Sequence, residues 1–126
     1  MRSGNLEFGK AAEEAAAKFL KAKGYRILER NYKNKFGEID IIARQAGVIC
    51  FLEVKARRRL DQGYPQEAVD AGKQRQISKV AVDYLKKHHL LDRPARFDVL
   101  GLLYTKTIPE INLITNAFEL TSEFSL

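Results

Sequence analysis

The chain has 126 residues, a single cysteine and a formal net charge of +6. That length suits one domain able to bury a core unaided; Cys50 alone excludes an internal disulfide or a thiolate metal cluster, and 45% hydrophobic with 30% charged residues excludes a largely disordered chain. The basic balance attracts polyanions such as nucleic acid. No apolar run approaches a membrane span, and the N-terminal stretch mixes Lys and Glu where a secretory signal needs an apolar centre, so a cytoplasmic protein with no membrane partner is expected.

Residues 5–23 predict a helix, because Gly9, Ala12, Ala16, Phe19 and Leu20 recur at spacings of three and four and Gly24 follows as a C-cap. Glu14 lies four residues from both Lys10 and Lys18 and reads as a solvent-side i,i+4 ion pair. Glu13, three before Ala16, falls at the edge of the core-facing stripe, as either a boundary residue or an inward-pointing acid. Residues 25–32 predict a first strand, followed by a polar, basic connection over 31–35.

Residues 37–43 and 48–56 then predict a hairpin around Gln45-Ala46-Gly47. With Ala46-Gly47 as a two-residue loop, Asp40 stands opposite Glu53. Alternation then gives one face to Ile39, Ile41, Ala43, Cys50, Leu52 and Val54, and the other to Glu38, Asp40, Ile42, Phe51, Glu53 and Lys55. A one-residue slip would put Asp40 among the apolar set, so the clean sorting supports the register.

Arg57-Arg58-Arg59 leads into a loop carrying Gly63 and Pro65. Residues 66–88 read as mostly helical, with a core stripe of Ile77, Val80, Ala81, Tyr84 and Leu85 and with Gly72 dividing a short leading turn from the main helix. Lys73 lies near the inward side, either snorkelling outward or contacting a phosphate. His88-His89 reads as favourable charge at a helix C-terminus. Residues 96–104 and 110–115 predict two closing strands, and 118–126 a loosely attached tail of this single domain.

Like charges directly across a strand pair are destabilising, so Asp40 opposite Glu53 calls for a cation. Carboxylate oxygens suit a hard ion, Mg²⁺ or Mn²⁺, and Lys55 emerges beside them on the same face. There it is placed to hold an attacking water or to stabilise charge on a phosphate. The competing interpretation is a solvent-facing ladder of ordinary surface charges. Ile42 and Phe51 on the same face argue that it is partly covered, and acids in a covered place are paired or metal-bound.

The chain also resembles the PD-(D/E)xK, restriction-endonuclease-like superfamily, whose split motif Asp40 and Glu53-Val54-Lys55 match. More closely it resembles the small bacterial YraN family, predicted to be nuclease-like or related to archaeal Holliday-junction resolvases. That resemblance runs through Gly9, Glu13 and Ala16, Gly24-Tyr25, Asn31, Gly37-Glu38-Ile39-Asp40, Phe51-Leu52-Glu53-Val54-Lys55, Arg57, Lys73 and Arg96-Phe97-Asp98-Val99. It implies an α/β fold, a mixed sheet flanked by helices. It further implies Asp40 and Glu53 as metal ligands, Lys55 as the catalytic lysine and Glu13 as the helical acid that completes the site. Ile39 stands where the superfamily's nominal motif has Pro.

The expected function is therefore Mg²⁺- or Mn²⁺-dependent hydrolysis of phosphodiesters in DNA, branched or damaged DNA included. Arg57, Arg58 and Lys73 are the expected phosphate contacts, which position without reading sequence. The alternative is a non-catalytic nucleic-acid-binding module with the same fold. Paired incisions across a junction would require a homodimer.

Overall fold

The fold is seen in a computed structural model, which describes residues 2–61 and 63–120. Helix α1 (Arg2–Ala22) is followed by strands β1 (Arg26–Asn34), β2 (Gly37–Gln45) and β3 (Val48–Arg57). A 3₁₀ turn (Pro65–Ala68) and helix α2 (Ala71–Lys87) then lead to β4 (Ala95–Leu103) and β5 (Glu110–Phe118). The five strands form one sheet in chain order, antiparallel except for the parallel pair β3 and β4 that α2 connects. This is the mixed, helix-flanked sheet expected. Among the described residues no helix is long and apolar enough to cross a membrane.

Each helix covers one face. Ala16 and Leu20 of α1 pack with Ile41, Ala43, Cys50, Leu52, Leu100 and Leu102. Ile77, Val80, Ala81 and Tyr84 of α2 pack with Ile42, Ile49, Phe51 and Phe97 on the other face. The central strand β3 is thus covered on both sides, which is why Val48-Ile49-Cys50-Phe51-Leu52 reads as an unbroken apolar run. Cys50 is a fully buried thiol whose pKa burial pushes up to about 11, as expected of an inert core residue.

The β2–β3 register is the expected one, from Gln45 opposite Val48 to Ile41 opposite Leu52. Ala46 (φ 50°) and Gly47 (φ 81°) form the two-residue loop, both residues at the positive φ of a type I′ turn. The facial sorting fails at one residue: Ile39 packs with the α2 cluster and not with Ile41. Pairing between the strands stops at Ile41–Leu52, and beyond it the Asp40 carboxylate, in place of a main-chain carbonyl, accepts from the Val54 N–H at 2.8 Å. On the other side Asn31 lies between the pairs Arg30–Ile41 and Tyr32–Ile39, opposite Asp40, with φ 53°. Both strands are therefore irregular at Asp40, which turns Ile39 toward α2.

Other boundaries also differ from expectation. Strand β1 continues through the supposed connection to Asn34, and Asn34 pairs with Gly37 across a two-residue turn. Glu14 bonds Arg30 of β1 at 2.8 Å, not a helix lysine. Helix α2 begins at Ala71 because the Asp70 carboxylate caps it, accepting from the Lys73 N–H at 2.9 Å; Gly72 lies inside the first turn. At the other end, His88 is the C-cap of α2, stacked on Tyr84. Strand β5 runs to Phe118, which pairs with Phe97 and stacks on it at 4.8 Å, so the tail starts later than residue 118. Residues 121–126 of that tail lie outside the described residues.

A buried polar network ties the sheet together away from Asp40. Asp98, 1% exposed, accepts from Arg96 Nε at 3.0 and 3.1 Å, from the Asn116 N–H at 2.9 Å and from Tyr25 Oη at 3.3 Å. Arg96 also donates to Gln45 at 2.7 Å. Removing the carboxylate strands a partly buried guanidinium and a backbone N–H. Asp98→Ala is expected to destabilise the fold by about 3 kcal/mol, read as a lower urea midpoint at unchanged slope.

Candidate active site

Glu53 is the unusual residue of the central strand, an acid only 3% exposed in a run otherwise apolar from Val48 to Val54. Alternation from Phe51 directs Glu53 and Lys55 toward the α2 face. Asp40 reaches Glu53 from β2, held in place by the Val54 N–H. Lys55 is half-buried and close enough to act on the Glu53 charge. From α2, Lys73 Nζ lies 3.5 Å from Glu53 Oε1, an ion-pair distance. This contact with the buried acid stands beside the two sequence alternatives for Lys73, whose side chain keeps 29% exposure.

Burial, then the hydrogen bond and the charge of Asp40, push the Glu53 pKa up to about 9, with Lys73 and Lys55 opposing. At neutral pH and without a cation, Glu53 is therefore protonated. The linkage follows from the sign: a carboxyl raised from 4.5 to about 9 on folding favours the folded state fully below pH 4.5, and that contribution is lost as pH rises through about 9. Urea midpoints of the metal-free protein are expected to fall across that window, and Glu53→Gln is expected to flatten the decline.

Glu53 Oε1 is buried and receives no hydrogen bond among the described residues; Lys73 faces it at ion-pair distance without hydrogen-bond geometry. Two facing carboxylates, one with a buried oxygen lacking a donor, fit a hard divalent cation completed by water and phosphate oxygens. Glu13 is half-buried on α1, the helix covering the opposite face, and no three acidic, histidine or cysteine side chains converge as a metal cage among the described residues.

The predicted basic residues are placed unevenly. Arg57 ends β3, half-buried, on the face of Glu53 and Lys55 by alternation. Arg58 is exposed, and its guanidinium lies 4.0 Å from the centre of the Phe8 ring of α1. Arg59 is ion-paired with Asp61.

One neighbour was not foreseen. Gly101 of β4 stands beside Lys55 in the parallel register, and Gln66 from the 3₁₀ turn covers it so closely that a Cβ there would come within 2.4 Å of Gln66 Oε1. That oxygen is buried and, like Glu53 Oε1, has no hydrogen-bond partner among the described residues. A glycine inside a strand marks such a close approach. It was the one available sequence signal, but it does not name Gln66.

Comparison with known proteins places the chain among similar sequences from many bacteria. The profile of the Uncharacterised protein family UPF0102 matches residues 12–102. UPF0102 proteins of Geotalea uraniireducens and Syntrophus aciditrophicus are each 49% identical, over 94% and 92% of this chain and 94% and 91% of their own lengths. The UPF0102 protein of Dictyoglomus turgidum is 43% identical over 90% of this chain and 98% of its own. Among solved structures, an EndoMS chain in complex with dsDNA matches with TM-score 0.42 and 24% identity over 69% of this chain. Pyrococcus furiosus SfsA in complex with Ca²⁺ matches with TM-score 0.36 and 17% identity over 85%. This chain spans 33% of the first structure's chain and 60% of the second's.

Proposed function

Since the chain belongs to the Uncharacterised protein family UPF0102, a membership that assigns no chemistry by itself, we propose from the site that it is a Mg²⁺- or Mn²⁺-dependent nuclease hydrolysing phosphodiesters in DNA. The observation that carries this is Glu53, buried in the central strand against a second carboxylate, with an oxygen that no donor among the described residues satisfies. Such an arrangement is costly in a protein that never binds a cation there.

Asp40 and Glu53 would hold the cation, which when bound polarises a phosphoryl oxygen and lowers the pKa of a coordinated water. The Val54 N–H fixes the Asp40 carboxylate, so this ligand is oriented before anything binds. Lys55 places its ammonium on the same face, where it steadies the attacking water or the charge that gathers on the phosphate. Lys73 compensates the carboxylates at one edge, and Arg57 and Arg58 meet flanking phosphates. None of these groups reads a base edge, so cleavage without sequence preference is the expected behaviour.

The test is cleavage of branched, duplex and single-stranded DNA in Mg²⁺ and Mn²⁺ by the unmodified protein and by Asp40→Ala. Divalent-dependent cleavage that Asp40→Ala loses supports the assignment; cleavage that survives the substitution removes the site from it. Salt-sensitive binding without cleavage on every substrate would instead mark a binding module.

A further inference from the structure

The tip of the β1–β2 hairpin and the outer face of α2 enclose a recess of about 310 Å³, apart from the carboxylate pair. Phe36 and Val82 supply its apolar lining, Lys35, Lys79 and Lys86 its cationic one, and Asp83 also borders it. Phe36 is 38% exposed, with Lys35 Nζ 5.2 Å from the centre of its ring. Asp83 is engaged, by Lys87 at 3.1 Å and by Asn34 Nδ2 at 3.0 Å, so the recess is cationic toward an incoming ligand.

An isolated exposed aromatic residue means little. Here the turn that carries it is fastened. Asn34 Nδ2 also donates to the Val80 carbonyl at 3.3 Å, and Asn34 Oδ1 accepts from the Phe36 N–H at 3.0 Å. Gly37 sits against Gln76 so tightly that a Cβ would come within 2.6 Å of Gln76 Nε2. The ring is therefore presented by a hairpin pinned on a helix. A second depression, about 340 Å³, runs from Lys33 and Gly37 to Gln76 and Lys73, and Glu38, 3.7 Å from Lys33 Nζ, also borders it. Lys73 in turn contacts Glu53, so this depression, which adjoins the recess along the Lys33–Gly37 segment, leads toward the carboxylate pair.

We propose that this recess binds one unpaired nucleotide of a nucleic-acid strand. The base stacks on Phe36, neighbouring phosphates meet Lys35 and Lys86, and the strand continues past Lys33 and Lys73 toward Glu53. Stacking on an aromatic ring accepts any base, whereas a base inside a duplex has no free face to offer. The preferred ligand is thus DNA with an unpaired nucleotide: a single strand, a flap or a junction. This inference rests on the nucleic-acid reading of the site but not on catalysis.

The experiment is equilibrium binding in EDTA of oligonucleotides carrying 2-aminopurine at an unpaired position, against a fully paired duplex of the same length. The unmodified protein, Phe36→Ala and Phe36→Tyr are compared, with circular dichroism melting to verify folding. Expected is tighter binding of the unpaired ligand with quenched fluorescence by the unmodified protein and Phe36→Tyr. Phe36→Ala should lose about tenfold in affinity for that ligand, together with the quench, and bind duplex unchanged. Equal affinity and equal quench in Phe36→Ala would overturn the proposal, as would absence of any binding at low salt. Cleavage activity with no effect of Phe36→Ala on binding sinks the recess alone; the expected binding without cleavage sinks hydrolysis alone.

Discussion

Glu53→Gln is expected to make the metal-free protein more stable while abolishing divalent-dependent cleavage. With a pKa near 9, Glu53 must take up a proton on folding at neutral pH, whereas glutamine is already neutral. The uptake costs on the order of 3 kcal/mol at pH 7. Glutamine keeps the volume of the side chain and offers its amide to Asp40. Thermal unfolding in EDTA at pH 7 should therefore shift upward, and Mg²⁺ should no longer stabilise the variant. Gain of stability with loss of function separates a site that stores strain for a ligand from a carboxylate that merely supports the fold. Loss of stability in Glu53→Gln would mean that the ionised carboxylate is itself a structural element, satisfied by Lys73.

Lys55→Met is expected to lower kcat by about 10²–10³-fold while leaving DNA binding and the melting temperature nearly unchanged. Methionine preserves the apolar stem that packs at the half-buried position and removes only the ammonium. The divalent ion should still bind, because Asp40 and Glu53 are intact. Single-turnover cleavage with saturating Mg²⁺ checks the rate, and a filter-binding isotherm checks affinity. A fall in affinity that accounts for the whole effect would reduce Lys55 to a phosphate anchor.

The register of the β2–β3 hairpin was legible because its central residues are buried on both faces, so a slip would have put charge among aliphatic groups. The Ile39 position was not legible. It depends on Asp40 using its side chain to take the Val54 N–H and on Asn31 adopting positive φ opposite, both consequences of three strands meeting. Strand β1 outruns its expected end for a related reason: Asn31, Lys33, Asn34 and Lys35 have the composition of a loop, and only the pairing of Tyr32, Lys33 and Asn34 with β2 keeps the segment to Asn34 in the sheet. The Glu14–Arg30 pair shows local spacing overridden by a partner from another element.

The acids and lysine of the candidate site stand out in sequence as charges inside an apolar run. Lys73 stands out only as an inward-side lysine, not as a neighbour of Glu53, and Gln66 does not stand out at all, because each arrives from a different part of the crossover between β3 and β4. The Asp70 cap sets the start of α2 and with it the Lys73 position, while the bare Cα of Gly101 admits Gln66. Glu13 has the opposite history: helical spacing put it at the core edge, where it is half-buried, but α1 covers the face away from Glu53.

Calorimetric titration of Mn²⁺ into the metal-free protein near pH 7, repeated in buffers of different ionisation enthalpy, addresses the Asp40–Glu53 pair itself. The expected result is one ion bound per chain with release of about one proton, the proton that Glu53 holds, and loss of that binding in both Asp40→Ala and Glu53→Gln. Binding that persists unchanged in both variants, or no binding by the unmodified protein, would contradict a cation site at these carboxylates.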